Sequence, residues 1–377
     1  MTFLIAPDSF KGTLTAQGFC EIAKETIERI LPGSRIICLP CADGGEGTVD
    51  ALQSSLRGSI RTVDAHGPCQ KKVFASYLLA GDGKTAVIEM CAAAGFSQKD
   101  EGTGPCDTTT LGVGEMIKDA CEAGAKEIVV SLGGSCTNDG GCGAAYACGT
   151  RFYDKNGNTF IPTGRTLSKI ARIDNSGLEA AFQDVRFTVM CDVDNPAMGE
   201  YGCARIFAPQ KGASEEDVLL LEDGMKNLCK RLKCDLGRDV ETLPGSGAAG
   251  GMGAGMIAMF GAKMKSGIET VLELTHFDEK VKDADYVLTG EGCFDGQSLK
   301  GKTVYGVLRH SAGAGKKVIV LAGTVKDEEI GKVFDDFRGV SVFSIARKPE
   351  PLAEAFKKTK ENLRYTLENV LRLLPSC

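Results

Sequence analysis

The chain has 377 residues, 43% hydrophobic and 25% charged, with a net charge of −6. That balance suits two globular domains with sizeable cores and excludes a disordered chain. Lysine and arginine are scattered and no basic block alternates with aromatic residues, which argues against nucleic acid as a partner and for a small molecule.

An apolar run over 2–6 reads as a strand that ends in Pro7, Asp8, Ser9, Phe10, Lys11 and Gly12. Thr15 then caps a helix with Phe19, Ile22, Ala23, Ile27 and Ile30 on one side, and Pro32-Gly33 stops it. A second strand over 35–39 leads through Asp43, Gly44, Gly45 and Glu46 into a second helix, a βαβα grammar. Near residue 61 the grammar changes: 61–64, 72–79 and 85–90 read as strands joined by short turns, as in an antiparallel or mixed sheet. A helix over 111–123 follows. A strand over 126–132 runs into the segment from Gly133 to Gly141, and one over 187–190 opens onto Cys191-Asp192-Val193-Asp194-Asn195-Pro196.

Ser214 and Asp217 form a capping box for a long helix. Residues 245–261 carry no charge, are rich in Gly and Ala and are too short for a membrane span, so they read as a closely packed helix. Strands over 284–288, 317–321 and 339–345 resume the strand–helix alternation, and an amphipathic helix over 351–374 closes the chain. The two ends share a grammar that the middle lacks. The expected architecture is therefore a discontinuous α/β, Rossmann-like parallel-sheet domain from 1–64 and 281–377, with a second, inserted α/β mixed-sheet domain over 65–280. A cleft between them is the expected site.

The sixteen cysteines are spread along a chain whose start, MTFLIAPDSF, lacks a basic leader. Free thiols and a cytoplasmic location are the expectation. Cys38 and Cys41 form a single CxxC, weak as a redox or zinc motif. Two nucleotide-type patterns also occur. Residues 296–303 match GxxxxGKT, but the apolar run ends several residues earlier and the interior is Gln297-Ser298-Leu299-Lys300. Residues 245–250 match GxGxxG without a clear strand before them.

More informative are the acidic, Gly-flanked loops that follow the expected strands: Asp8, Asp43 with Glu46, Asp139, Asp192 with Asp194, and Glu291 with Asp295. One such loop is an ordinary turn. Five, with Lys11 and Lys302 as counter-charges, point to a metal and phosphate site. The three histidines lie outside these loops, so an aspartate is the better candidate base. Magnesium-dependent phosphoryl transfer needs these residue types: carboxylates to hold the metal and accept a hydroxyl proton, and cations and helix N-termini to offset phosphate charge.

The same loops carry APDSFKGTLTA at 6–16, ADGGEGT at 42–48, GGSCTNDGG at 133–141, CDVDNP at 191–196, PGSGAAGGMG at 244–253 and TGEGCFDGQSLKGK at 289–302. In content and order these blocks resemble the two-domain bacterial glycerate kinases. The resemblance implies phosphorylation of D-glycerate by ATP with Mg2+, 2-phosphoglycerate being favoured over 3-phosphoglycerate as product, and the discontinuous two-domain fold. The residue roles rest on chemistry. Lys11 and Ser9 would hold an anionic group, and Asp192 or Asp194 would act as base, with Asp192 preferred because it follows a strand. Asp8, Asp43, Glu46, Asp194 and Asn195 would bind the acid together with Ser9. Gly133, Gly134, Ser135, Thr137, Asn138, Gly247 and Lys302 would take ATP phosphates, and Glu291 with Asp295 would hold Mg2+. The competing readings are a kinase of another small sugar acid, a non-catalytic sugar-acid binding protein, and a nicotinamide-dependent dehydrogenase resting on GxGxxG alone.

Overall fold

A computed structural model of the chain describes residues 1–375 apart from Gln297, Leu299 and Lys300. They form two compact units, one of Met1–Asp43, Asp50–Leu56 and Ser266–Cys377, the other of Gly44–Val49 and Arg57–Lys265.

In the first unit five parallel strands lie in the order Val340–Ser344, Lys317–Val325, Tyr286–Phe294, Thr2–Ile5, Arg35–Cys38. Phe3, Leu4, Ile5, Val287, Leu288, Val320 and Leu321 are fully buried, as continuous apolar strands must be when helices cover both faces of a sheet. The helix Ala16–Ile30 is capped by the Thr15 hydroxyl, which accepts from the Gly18 N–H (3.0 Å). Its Phe19, Ala23 and Ile27 join Leu363 and Leu367 of the closing helix Thr359–Arg372 in one core. Counted along this unit the strand order is 2-1-3-4-5. The chain reverses direction across the sheet between Thr2–Ile5 and Tyr286–Phe294, and the crevice at their carboxyl ends is where such a sheet binds ligands.

The strand read as ending at Leu288 runs on to Phe294, its register with the neighbouring strand continuing through Glu291↔Ala322 to Phe294↔Val325. Gly290 and Gly323 are close-approach glycines inside strands rather than loop formers. A Cβ on Gly290 would lie 2.1 Å from the Leu321 carbonyl oxygen, and one on Gly323 would lie 2.4 Å from that of Gly292. Gly290→Ala should therefore destabilise the first unit by about 2–3 kcal/mol through overpacking. A thermal melt that matches wild type would remove this account.

The second unit holds a six-stranded mixed sheet. Lys263–Lys265, Arg186–Met190, Glu127–Ser131 and Thr85–Glu89 run parallel, followed by Lys72–Leu79 and the edge strand Ser59–His66, both antiparallel. Ile88, Val130, Val189, Met116 and Ile117 are among its fully buried residues, or nearly so. The boundary read at 64/65 falls inside the edge strand, whose pairing with Lys72–Leu79 makes it part of this unit. Likewise the helices Gly267–Leu274 and Phe277–Lys282 belong to the first unit, although both begin before residue 281. A small sheet of Thr159–Phe160, Arg151–Tyr153 and Arg172–Asp174 had no counterpart in the sequence reading. The Ser214 capping box opens the helix Glu215–Leu236 as expected.

The Gly/Ala-rich helix Ala248–Phe260 is present, but Ala249, Gly250 and Gly251 inside it have positive φ. The GxGxxG segment thus follows turns and leads into a kink, where a dinucleotide fold would have strand, turn and helix. The whole is a discontinuous Rossmann-like parallel-sheet fold with a second α/β mixed sheet. Among the described residues no helix is long and apolar enough to cross a membrane.

Candidate active site

At the reversal point of the first unit the chain builds a cavity of about 500 Å3. Asp8, Ser9, Lys11, Asp43, Glu291, Asp295, Ser298 and Lys302 line one part of it, and Ile345, Leu352, Ala355 and Phe356 line another. The segment after Thr2–Ile5 stays beside the longer strand: the Ala6 N–H donates to the Leu288 carbonyl (2.7 Å) and the Asp8 N–H to that of Gly290 (2.8 Å). Phe10 and Leu14 then close a tight turn, the Phe10 N–H donating to the Leu14 carbonyl (2.8 Å). Gly12 in this turn has φ +79°, a conformation that favours glycine. Lys11 stands out from it, its side chain 79% exposed and its Nζ 3.9 Å from Asp43.

The carboxylates are electrostatically strained. Burial raises the Asp8 carboxyl above its ordinary value and the Asp43 charge adds to this, while the Ser9 N–H (2.7 Å) and Lys11 oppose it. Burial pushes Glu291 up to about 7. Asp8 and Asp295 add to that shift, and the Ser298 hydroxyl and Lys302 work against it. Among the described residues Glu291 Oε1 has no hydrogen-bond partner. Asp295 lies 3.1 Å from Lys326 Nζ, and its N–H donates to Ser298 Oγ (3.0 Å).

Mg2+ takes one or two protein carboxylates and fills its shell with water and phosphate oxygens. Glu291 and Asp295 fit that demand as hard oxygen donors, and the orphaned Oε1 is an atom such a cation would satisfy. Among the described residues no three His, Cys, Asp or Glu side chains form a closed cage. Nor do Cys38 and Cys41 act as a pair: the Cys38 thiol points to the Cys20 carbonyl (4.0 Å) and that of Cys41 to Leu39 (3.2 Å).

The longer strand also changes the reading of GxxxxGKT. Only Asp295 separates the strand end from Gly296, and Thr303 opens the helix Thr303–Gly313. The pattern therefore does sit between strand and helix, and the objection drawn from an early strand end falls. Gln297, Leu299 and Lys300, whose amides would decide the matter, lie outside the described residues.

In the second unit the parallel strands carry their following loops to one edge of the sheet. Gly133, Gly134, Ser135, Thr137 and Asn138 follow Glu127–Ser131, and the 191–196 loop follows Arg186–Met190. A Cβ on Gly133 would lie 2.8 Å from the Gly45 Cα, so the segment containing Glu46 packs on this turn. Glu46 itself is exposed. Asp192 and Asp194 are exposed, in a loop held by the Cys191 N–H on the Lys265 carbonyl (2.9 Å) and by Asn195 Nδ2 on that of Tyr201 (2.9 Å). The Gly247 N–H is engaged by the Asn195 carbonyl (2.9 Å), and a Cβ there would lie 2.1 Å from the Pro196 carbonyl oxygen. Its glycine is explained by packing. Asp139, read as one of the acidic loops, is fully buried. It accepts from the Thr110 N–H (2.7 Å) and hydroxyl (2.8 Å) and from the Gly141 and Gly143 N–H groups (3.2 Å each). It organises the turn and the start of the helix Cys142–Ala147 rather than facing a ligand.

The family model of the glycerate kinase family matches residues 3–375. The chain belongs to the glycerate kinase family. The glycerate 2-kinase of Escherichia coli K12 is 40% identical over 376 residues, covering 99% of this chain and 98% of that one. The glycerate kinase of Halalkalibacterium halodurans is 40% identical over 371 residues, covering 98% and 97%. A crystal structure provisionally named glycerate kinase 2, from Salmonella typhimurium LT2, superposes with a TM-score of 0.86 at 37% identity, covering 99% of this chain and 97% of that one.

Three features of this glycerate kinase family member escaped the sequence reading. Glu89 ends the strand Thr85–Glu89 and accepts the Val49 N–H (2.7 Å). The wall of Leu352, Ala355 and Phe356 belongs to the short helix Leu352–Lys357, which looked like part of one long terminal helix. Lys211, at the end of the turn Pro209–Lys211, is only 2% exposed, and its Nζ donates to Ser135 Oγ (3.0 Å) and the Thr137 carbonyl (2.7 Å). Pro-Gln-Lys-Gly shows neither helical nor strand periodicity, so nothing local marks that lysine as buried.

Proposed function

We propose that the protein is a glycerate kinase that transfers the terminal phosphoryl group of ATP to D-glycerate, with the 2-hydroxyl as the favoured acceptor. The observation that carries the reading is the first-unit cavity, where Lys11 and Lys302 meet Asp8, Glu291 and Asp295 at the reversal point of the sheet. Paired cations and carboxylates are what phosphoryl transfer asks of a protein, since its catalysis is chiefly positioning and charge stabilisation. The 2-hydroxyl is favoured because the Escherichia coli relative is named a glycerate 2-kinase.

Glu291 and Asp295 would hold Mg2+, which when bound offsets phosphate charge. Lys11 and Ser9 hold an anionic oxygen of a substrate, and Lys302, at the head of the helix Thr303–Gly313, meets a phosphate. In the second unit Asp192 accepts the proton of the attacking hydroxyl as its oxygen bonds to phosphorus and the bond to the ADP oxygen breaks. The turn Gly133–Asn138 takes further phosphate or acid oxygens. Incubation with ATP, Mg2+ and D-glycerate should release ADP, and phosphorus NMR of the product should show the C2 ester. The C3 ester would correct the acceptor, and no ADP release would leave a binding protein.

Glu291→Gln and Asp295→Asn keep shape and remove the charge a hard cation prefers. Each should raise the Mg2+ concentration for half-maximal turnover by about tenfold, and Mg2+ with ADP should raise the melting temperature less than in wild type. A normal Mg2+ titration in both variants would move the metal elsewhere.

A further inference from the structure

Lys211 is a buried ammonium for which the described residues supply no counter-ion. Among them no carboxylate forms an ion pair with it. Its two hydrogen bonds go to neutral oxygens, Ser135 Oγ and the Thr137 carbonyl, so its third N–H has no acceptor there. A buried charge so placed costs free energy unless something else compensates it. The adjoining turn holds further unsatisfied groups: Thr137 Oγ1 and Asn138 Oδ1 are fully buried and make no hydrogen bond among the described residues. The groups that act on Lys211 are the Cys203 and Cys136 thiols and Asp139, whose carboxylate is already engaged by five backbone and hydroxyl donors. Lys99 donates to the Lys211 carbonyl (3.0 Å). The other buried carboxylate of this layer, Glu222, accepts from the Gly199 N–H (2.8 Å).

We propose that Lys211 is a positioning residue of an oxyanion site in the turn Gly133–Asn138, where it orients the Ser135 hydroxyl toward a phosphate or carboxylate oxygen of a substrate. Because the ammonium donates to Ser135 Oγ, the hydroxyl proton must point away from Lys211. Ser135 then becomes a donor backed by a positive charge, and such a charge-assisted bond is roughly twice as strong as a neutral one. The oxyanion supplies the counter-charge that the protein omits. The choice between nucleotide phosphate and acid carboxylate rests on the kinase reading; the site itself does not.

Burial lowers the Lys211 ammonium to about 8, with Cys203, Cys136 and Asp139 opposing the shift. The ordinary, unfolded value lies near 10.5. Its contribution to stability therefore rises as pH climbs from 8 to 10.5, because the unfolded chain keeps the proton longer. Oxyanion affinity runs the other way, full below 8 and lost above it. That opposition separates a ligand role from a merely structural one.

The test uses the full chain, with Lys211→Met and, in case that variant fails to fold, Ser135→Ala. For wild type, kcat/KM of one substrate should fall about tenfold per pH unit above a break near 8. In Lys211→Met the KM for that substrate should rise at least about tenfold at pH 7 with a smaller change in kcat, and the break should vanish. Ser135→Ala should raise the same KM. An effect on ATP identifies a phosphate and one on D-glycerate a carboxylate. Folded variants with wild-type KM for both substrates would overturn the site. Should wild type show no kinase activity, sodium pyrophosphate and D-glycerate serve as probes of thermal stabilisation at pH 7. A shift with either that is lost in Lys211→Met or Ser135→Ala upholds the site although the kinase reading fails, and no shift with either in wild type overturns it.

Discussion

Asp192→Asn is expected to lower the turnover number by roughly 10²-fold or more while changing ATP binding much less, because general-base catalysis typically contributes 10² to 10⁴. Asparagine keeps the shape of the side chain and cannot take the hydroxyl proton. Asp192 lies two residues beyond the strand Arg186–Met190 and is exposed, so the strand itself does not fix it. The loop does, through Cys191 on Lys265, Asn195 on Tyr201 and Gly247 on Asn195. An exposed aspartate contributes little to stability, so the variant should melt close to wild type. If Asp192 only shaped the turn, the variant would instead lose thermal stability and keep its rate at low temperature. Asp194→Asn, measured alongside, would carry the loss of turnover if the two residues exchange roles.

The parallel sheet of the first unit was legible because its strands are continuous apolar runs, and burial on both faces writes itself into sequence. The helix Ala16–Ile30 was legible for the complementary reason: Thr15 caps it and its apolar side is periodic. What stayed hidden depends on partners far along the chain. Gly290 looks like a turn former until Leu321 is beside it, and the strand therefore seemed to end too early. The edge strand Ser59–His66 is largely exposed and polar; 61–64 read as part of the antiparallel set, but only the pairing of the whole strand with Lys72–Leu79 puts the boundary before it rather than at 64/65.

The candidate site divides in the same way. Asp8, Lys11, Asp43, Glu291, Asp295 and Lys302 were found as charged residues at strand ends, and the fold brings all six to one cavity. Asp139 has the same sequence appearance yet is consumed by backbone and hydroxyl donors. Lys211 is the converse, an unremarked lysine that tertiary burial turns into a charge with no counter-ion among the described residues. Type and spacing identify charged loops; only packing tells a ligand from a cap.

Lys11→Ala should lower glycerate phosphorylation by about 10²-fold, the order of loss when one group that stabilises transition-state charge is removed. The fold should not notice. Lys11 is 79% exposed and the one ion pair it makes among the described residues, with Asp43 at 3.9 Å, is of the surface kind, worth no more than about 1 kcal/mol. The turn that presents it is held by backbone bonds between Phe10, Thr13 and Leu14 that the substitution leaves intact. An ammonium held out by a closed turn, beside two carboxylates whose burial and repulsion raise them, is placed to meet an anion rather than to stabilise the protein. Lys11→Arg keeps the charge but changes its geometry, so it should recover part of the loss. If Lys11→Ala retains wild-type turnover and both Michaelis constants, the cation of this cavity is Lys302 and the same pair of measurements on Lys302→Ala should show the deficit.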